Sequence, residues 1–190
     1  MELLGIFTAF GLSASAGLNA YIPLLVVALL ARFTNLIHLN SPWDVLSSWW
    51  SIGILVVLSL IEFFADKIPA VNHINDIIQT VVRPLAGAIA FAASAQIITN
   101  IHPVISLGLG LLIAGGVHTV KAIVIRPVVT ATTAGAGNVP VSIAEDFTAT
   151  MVSIASIIVP IVIACLLIML TAWVIWLLWR RGRQLSKTSN

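Results

Sequence analysis

The sequence predicts an all-α integral membrane protein with about five transmembrane helices, broken or re-entrant near residues 11–23 and 126–160. Three observations lead there. Of 190 residues, 59% are hydrophobic and only 8% are charged, against about 25% charged in an ordinary soluble domain. The mean hydropathy is +1.10. The apolar residues also lie in long runs, namely Ile52–Phe64, Leu85–Ile98, Val104–Val117 and Ile154–Leu178. A soluble fold must cover its core with polar surface, and seven acids with nine bases cannot supply it. At about 20 apolar residues per span the chain has room for roughly five spans.

The first apolar stretch, 3–31, is too long for one upright helix at about 1.5 Å per residue. Gly5, Ala9, Ser13 and Gly17 are spaced four apart and make a smooth stripe on which another helix can pack closely. Asn19, Tyr21 and Pro23 follow, so the helix is expected to break there. Residues 32–48 form a polar connector, and Trp43, Trp49 and Trp50 mark a membrane interface. The second span covers about 49–65. Residues 70–83 read as a short amphipathic piece. Asn72, Asp76, Gln79 and Arg83 lie on one side of it, and Ile74, Ile77, Ile78 and Val81 lie opposite.

Pro84 suits a first helical position, so the third span is expected to start there and end near Thr99. A tight turn at 100–103 leads to a fourth span over about 104–125, rich in Gly108, Gly110, Ala114, Gly115 and Gly116. Residues 128–146 are polar and glycine-rich, and Ser142 with Glu145 has the spacing of a capping box. The last segment, 147–179, carries Pro160 as a kink site and Trp173, Trp176 and Trp179 as an aromatic belt. Residues 1–179 thus form a single polytopic transmembrane domain. Residues 180–190 form a short basic tail (Arg180, Arg181, Arg183, Lys187), which the positive-inside rule places in the cytoplasm. Met1-Glu2 lacks the positive start of a signal peptide, so Leu3–Leu30 is read as a retained membrane segment.

The third and fourth spans are joined by a turn of a few residues and must be antiparallel neighbours. That places Arg83 beside His118, Lys121 and Arg126. The end of the second span (Glu62, Asp66) and the start of the last segment (Glu145, Asp146) fall on the same side, opposite the C-terminus. With Asp76 and Lys67, five acids meet four cations. Ionisable groups at membrane depth cost several kcal/mol unless paired or hydrated, and this near balance lets them neutralise one another. Glu62 and Asp66 are one turn apart and share a helix face. Candidate substrate- or ion-binding residues are Asn19, Glu62, Asp66, Arg83, His118, Lys121, Arg126, Asn138, Glu145 and Asp146.

The motifs that would name an enzyme are missing: no H-E-x-x-H, no G-x-S-x-G, no Cys/His cluster and no nucleotide loop. Gly135–Asn138 is followed by no Lys-Ser or Lys-Thr, so a phosphate cradle is not indicated. The lone Cys165 has no intrachain partner. No cofactor, no metal and no nucleic-acid partner is expected. Arg83-Pro84 and Arg126-Pro127 hint at an internal duplication of the kind found in transporters.

The stretches 16–23 (AGLNAYIP), Glu62 through Pro69, Arg83-Pro84-Leu85-Ala86-Gly87 and the region from His118 to Asp146 resemble the bacterial membrane family called domain of unknown function 4126. The resemblance covers nearly the whole chain. It implies only that these polar motifs are the residues to test, and it brings no activity. The expected location is the bacterial inner membrane, crossed several times. The leading expectation is a small transporter or channel-like protein for an ion or small polar solute, surrounded by membrane lipids. Its few helices and small-residue stripes favour a homo-oligomer. The alternatives are an intramembrane enzyme acting on a lipid-linked substrate, with His118 as acid–base group, and a non-catalytic scaffold or accessory subunit.

Overall fold

The computed structural model describes the backbone of residues 2–98 and 101–188, and the side chains of 5–68, 74–95, 101–160, 162, 169 and 176. Expectations about Cys165, Trp173, Trp179 and the basic side chains of the tail concern side chains outside the described residues, as does part of the turn at 100–103. The helices are α1 (Glu2–Leu18), α2 (Tyr21–Phe33), α3 (Trp49–Ala65), α4 (Pro69–Ile98), α5 (Pro103–Val120), α6 (Arg126–Thr133) and α7 (Asn138–Thr188). A 3-10 turn, Trp43–Ser47, precedes α3, and a π turn, Lys121–Ile125, joins α5 to α6. No strand occurs among the described residues.

Local chemistry sets several of these boundaries. Asn19 ends α1 and starts α2, because its Oδ1 accepts the N–H groups of Tyr21 (3.1 Å) and Ile22 (3.0 Å). Pro23 then falls in the first turn, where a missing N–H costs nothing. Ser48 caps α3 by accepting the Ser51 N–H at 3.2 Å. Pro103 opens α5 while His102 Nδ1 accepts the Val104 N–H.

Helix directions follow from paired positions. Along α1, Gly11 abuts Ser156, Ser15 bonds Ala149 and Ser153, and Asn19 bonds Asp146, so α7 runs antiparallel to α1. Ser13 bonds the Gly110 carbonyl and Gly17 abuts Ala114 and Val117, so α5 runs parallel to α1. Glu62 meets Arg83 and Asp66 meets Asn75, so α3 runs antiparallel to α4 and arrives from the Ala95 side. Phe33 and Arg32 at the end of α2 pack on Trp49 at the start of α3. Ala9 clusters with Phe91 and Ala95, so α1 comes from that side too. α2 therefore turns back toward the side from which α1 came, and the reversal at Asn19-Ala20 is the tip of a helical hairpin.

The interior combines many small and polar residues with large apolar ones such as Leu12, Leu24, Val27 and Phe91. Ala9, Ala16, Ala20, Ala90, Ala92, Ala95, Ala114 and Ala149 are fully buried, as are Ser13, Ser15 and Ser153. Many large apolar side chains point outward: Trp50 is 85% exposed, Phe7 66%, Leu112 70% and Ile77 63%. A water-soluble protein has the reverse distribution, and an apolar exterior of this extent needs an apolar solvent. Three helices, Ile74–Ala95, Pro103–Thr133 and Asn138–Pro160, are long and apolar enough to cross a membrane, and Gly5–Leu18, Tyr21–Phe33 and Trp49–Ala65 are shorter apolar helices.

The structure departs from the sequence reading at three places. Pro84 does not open a helix. It lies inside α4, which continues from Pro69 through the expected amphipathic piece. The lost hydrogen bond is tolerated because close packing on α1 and α5 holds the helix on both sides of it. The polar stretch 128–146 is mostly helical, and α7 starts at Asn138 rather than after Ser142, which is buried inside the helix. α7 also runs through Pro160 and through the basic tail to Thr188 as one helix.

Gly110 and Gly108 test the packing. A Cβ on Gly110 would sit 2.5 Å from the Gly87 carbonyl oxygen and 2.7 Å from the Ala88 Cα, whereas one on Gly108 meets nothing within 4 Å. Gly110→Val should destabilise by about 1–3 kcal/mol or more. Gly108→Val should leave the thermal unfolding of the detergent-purified protein almost unchanged.

Candidate functional site

Six segments converge at the α1–α2 tip: the end of α3, the middle of α4, the α5–π–α6 junction and the start of α7 supply charges to it. Arg83 has no exposed surface. Its Nη2 and Nε donate to Glu62 Oε1 at 2.9 and 3.2 Å. Glu62 also accepts the Ala20 N–H at 3.2 Å on Oε2. Arg83 Nη1 lies 3.2 Å from His118 Nδ1. A guanidinium only donates, so Nδ1 accepts and the His118 proton sits on Nε2. That N–H is directed at Thr80 Oγ1 (3.3 Å), which in turn donates to the Asp76 carbonyl. His118 is thus a neutral relay in a hydrogen-bond chain.

The second half of the cluster is centred on Asp66. Its Oδ2 receives Arg126 Nη2 at 3.0 Å and lies 3.7 Å from Arg83 and 3.9 Å from Lys121, while Oδ1 accepts from Asn75 at 2.7 Å. Burial alone would raise the Asp66 carboxyl. Lys121, Arg83 and Arg126, helped by the Asn75 amide, outweigh that and hold it below its usual 3.8. Glu145 Oε2 bridges Lys121 (2.8 Å) and Arg126 (3.2 Å). Asp146 accepts from Asn19 at 2.9 Å and pairs with Lys67 at 3.5 Å on the rim. Four carboxylates (Glu62, Asp66, Glu145, Asp146) therefore balance four cations (Lys67, Arg83, Lys121, Arg126), and Asp76 is half-buried at the margin.

The broken helix contributes its ends to this arrangement. Lys121 Nζ donates to the Leu18 carbonyl at the C-terminus of α1 (3.0 Å), and the Ala20 N–H at the start of α2 faces Glu62. Each half-helix terminus meets the charge that its dipole favours. The π turn has an equally direct role. Residues five apart, such as Lys121 and Arg126, diverge by about 140° on an α-helix. The i→i+5 pattern of a π turn stacks them on one face. Pro127 has no N–H to give the preceding turn, and the wider turn falls just before it.

Nine of the ten candidate residues come together. Asn138 does not: it lies at the α6–α7 turn, where Thr130 donates to its side-chain oxygen. Asn75 is a site residue that sequence reasoning missed. It lies four and eight residues before Gln79 and Arg83, so the i, i+4, i+8 series on one helix face was the available signal. Gln79 Oε1, Ser142 Oγ and Glu145 Oε1 are buried and have no hydrogen-bond partner among the described residues.

With the geometry in place, comparison with known proteins adds one finding. The profile of the family described as domain of unknown function (DUF4126) matches residues 6–180. No curated protein and no solved structure matches the chain.

Removing one member of a buried pair strands the other. Lys121→Met should destabilise by about 3–5 kcal/mol, and Lys67→Met, on the partly exposed rim, by no more than about 1 kcal/mol. Thermal unfolding in detergent checks the ratio. Asp66, with its depressed carboxyl, adds stability that is present above its unfolded value and is lost as pH falls through the lower folded value. Asp66→Asn should flatten that acid limb of the stability curve.

Proposed function

We propose that this chain, which belongs to the family described as domain of unknown function (DUF4126), is a small membrane transporter or channel-like protein for an ion or small polar solute. The observation that carries the proposal is a broken helix whose two ends meet a charge-balanced buried cluster. Such clusters are expensive in a membrane and mark solute and ion pathways. The ionic residues Arg83, Lys121, Arg126, Glu145 and Asp146 lie within the apolar segments Ile74–Ala95, Pro103–Thr133 and Asn138–Pro160.

In this reading the α1–α2 hairpin is re-entrant. α2 has 13 residues and a length of about 20 Å, short of a hydrocarbon layer of about 30 Å. α7 continues for 35 residues from Glu145 to Arg180, about 52 Å, so the cluster lies toward the face opposite the basic tail. With that tail cytoplasmic, the cluster is served from the outside of the cell membrane. The internal carboxylates occupy the cations while no solute is bound, and the paired network is the occluded state. Several copies complete the path. The enzyme reading loses ground because the His118 Nδ1 lone pair is engaged by Arg83. A second reading, a membrane scaffold, draws on the thorough pairing of Glu62, Asp66 and Asp146.

Liposomes holding the purified protein should pass protons, alkali cations or small organic anions above protein-free controls. Glu62→Gln and Arg126→Gln should reduce that flux to background while remaining folded and monodisperse. Unchanged flux in both variants would remove the cluster from the path, and no flux of any probe in the wild type would leave the scaffold.

A further inference from the structure

The four carboxylates of the cluster, of which Asp146 is half-buried, are not equally engaged. Glu62 uses both oxygens, on Arg83 and the Ala20 N–H. Asp66 uses both, on Asn75 and the cations. Asp146 uses both, on Asn19 and Lys67. Glu145 is different: Oε2 bridges Lys121 and Arg126, while Oε1 is buried and has no hydrogen-bond partner among the described residues. One turn earlier on the same face of α7, the fully buried Ser142 hydroxyl also has no hydrogen-bond partner among the described residues. Glu145 thus gives one oxygen to two cations that Asp66 Oδ2 also faces, and keeps an idle oxygen one helical turn from an idle hydroxyl.

Glu145 lies near the start of α7, close after the α6–α7 turn. It follows the turn of Ala134 (φ 50°) and Gly135 (φ 86°). The bonds from α7 to α1 lie further along, at Asp146, Ala149 and Ser153.

We infer that Glu145 is an internal stand-in for the ligand, and that the Lys121–Arg126 pair with Ser142 forms a binding site for a small carboxylate anion. The inference rests on the transport reading and names its substrate class. A free carboxylate that replaces the Glu145 side chain takes the same two cations with one oxygen. Its second oxygen accepts the Ser142 O–H that now has no acceptor. Charge balance is kept, because one anion leaves the site as another enters. A tethered carboxylate competes at high effective concentration, so the wild-type site binds a free one only weakly.

The test uses full-length protein in detergent and acetate as probe, with chloride at equal ionic strength as control. Glu145→Ala should lose thermal stability, and acetate should restore it where chloride does not. Radiolabelled acetate should bind Glu145→Ala at least about tenfold more tightly than the wild type, and adding Ser142→Ala should cancel part of that gain. Glu145→Gln, which keeps the side-chain volume, should also bind acetate above the wild type and decides the matter if Glu145→Ala cannot be purified. Equal behaviour in acetate and chloride, with no gain in binding, overturns the site. Acetate binding without flux in liposomes supports the site and discards transport. Flux without acetate binding keeps transport and discards this ligand.

Discussion

Arg83 has no exposed surface, so its guanidinium charge must be met inside the protein. Glu62 meets it with one oxygen on two guanidinium nitrogens. That single contact ties α3 to α4, and Glu62 then reaches the α2 N-terminus through Ala20. Arg83 reaches α5 through His118. Every further charge answers the imbalance left by the one before: Asp66 for Arg126, Glu145 for Lys121, Asp146 for Lys67. A cluster of this kind adds little net stability compared with an apolar core. Its effect is to specify which helices meet and at what height.

The network can exist because the helices approach closely. α1 packs between α4, α5 and α7 through Gly11, Ser13, Ser15 and Gly17, so no large side chain separates the backbones. Close approach brings Leu18 O within reach of Lys121 and Asn19 within reach of Asp146. Large apolar residues such as Phe7, Trp50 and Leu112 are displaced to the outside. The same arrangement supplies both the membrane-compatible surface and the polar interior.

Much of this was legible in the residues. The small-residue ladder, the break at Asn19, the start of α3 at Trp49 and the convergence of Glu62, Asp66, Arg83, His118, Lys121, Arg126, Glu145 and Asp146 all follow from spacing and hydropathy. Pro84 and Ser142 were misread because their local preferences, for a first helical position and for a cap, are weak beside packing on neighbouring helices. Asn75 was passed over because polar residues at 72, 75, 76 and 79 offer two overlapping stripes, and only contact with Asp66 selects between them.

The sequence by itself determined a helical membrane protein with a balanced set of costly charges, because hydropathy and charge placement are properties of the chain. Only the tertiary structure decided that α2 folds back along α1, that a π turn brings Arg126 onto the face of Lys121, and that Glu145 keeps one oxygen without a hydrogen-bond partner among the described residues. Each is a question of which way a group points, and direction is set by neighbours distant in the chain.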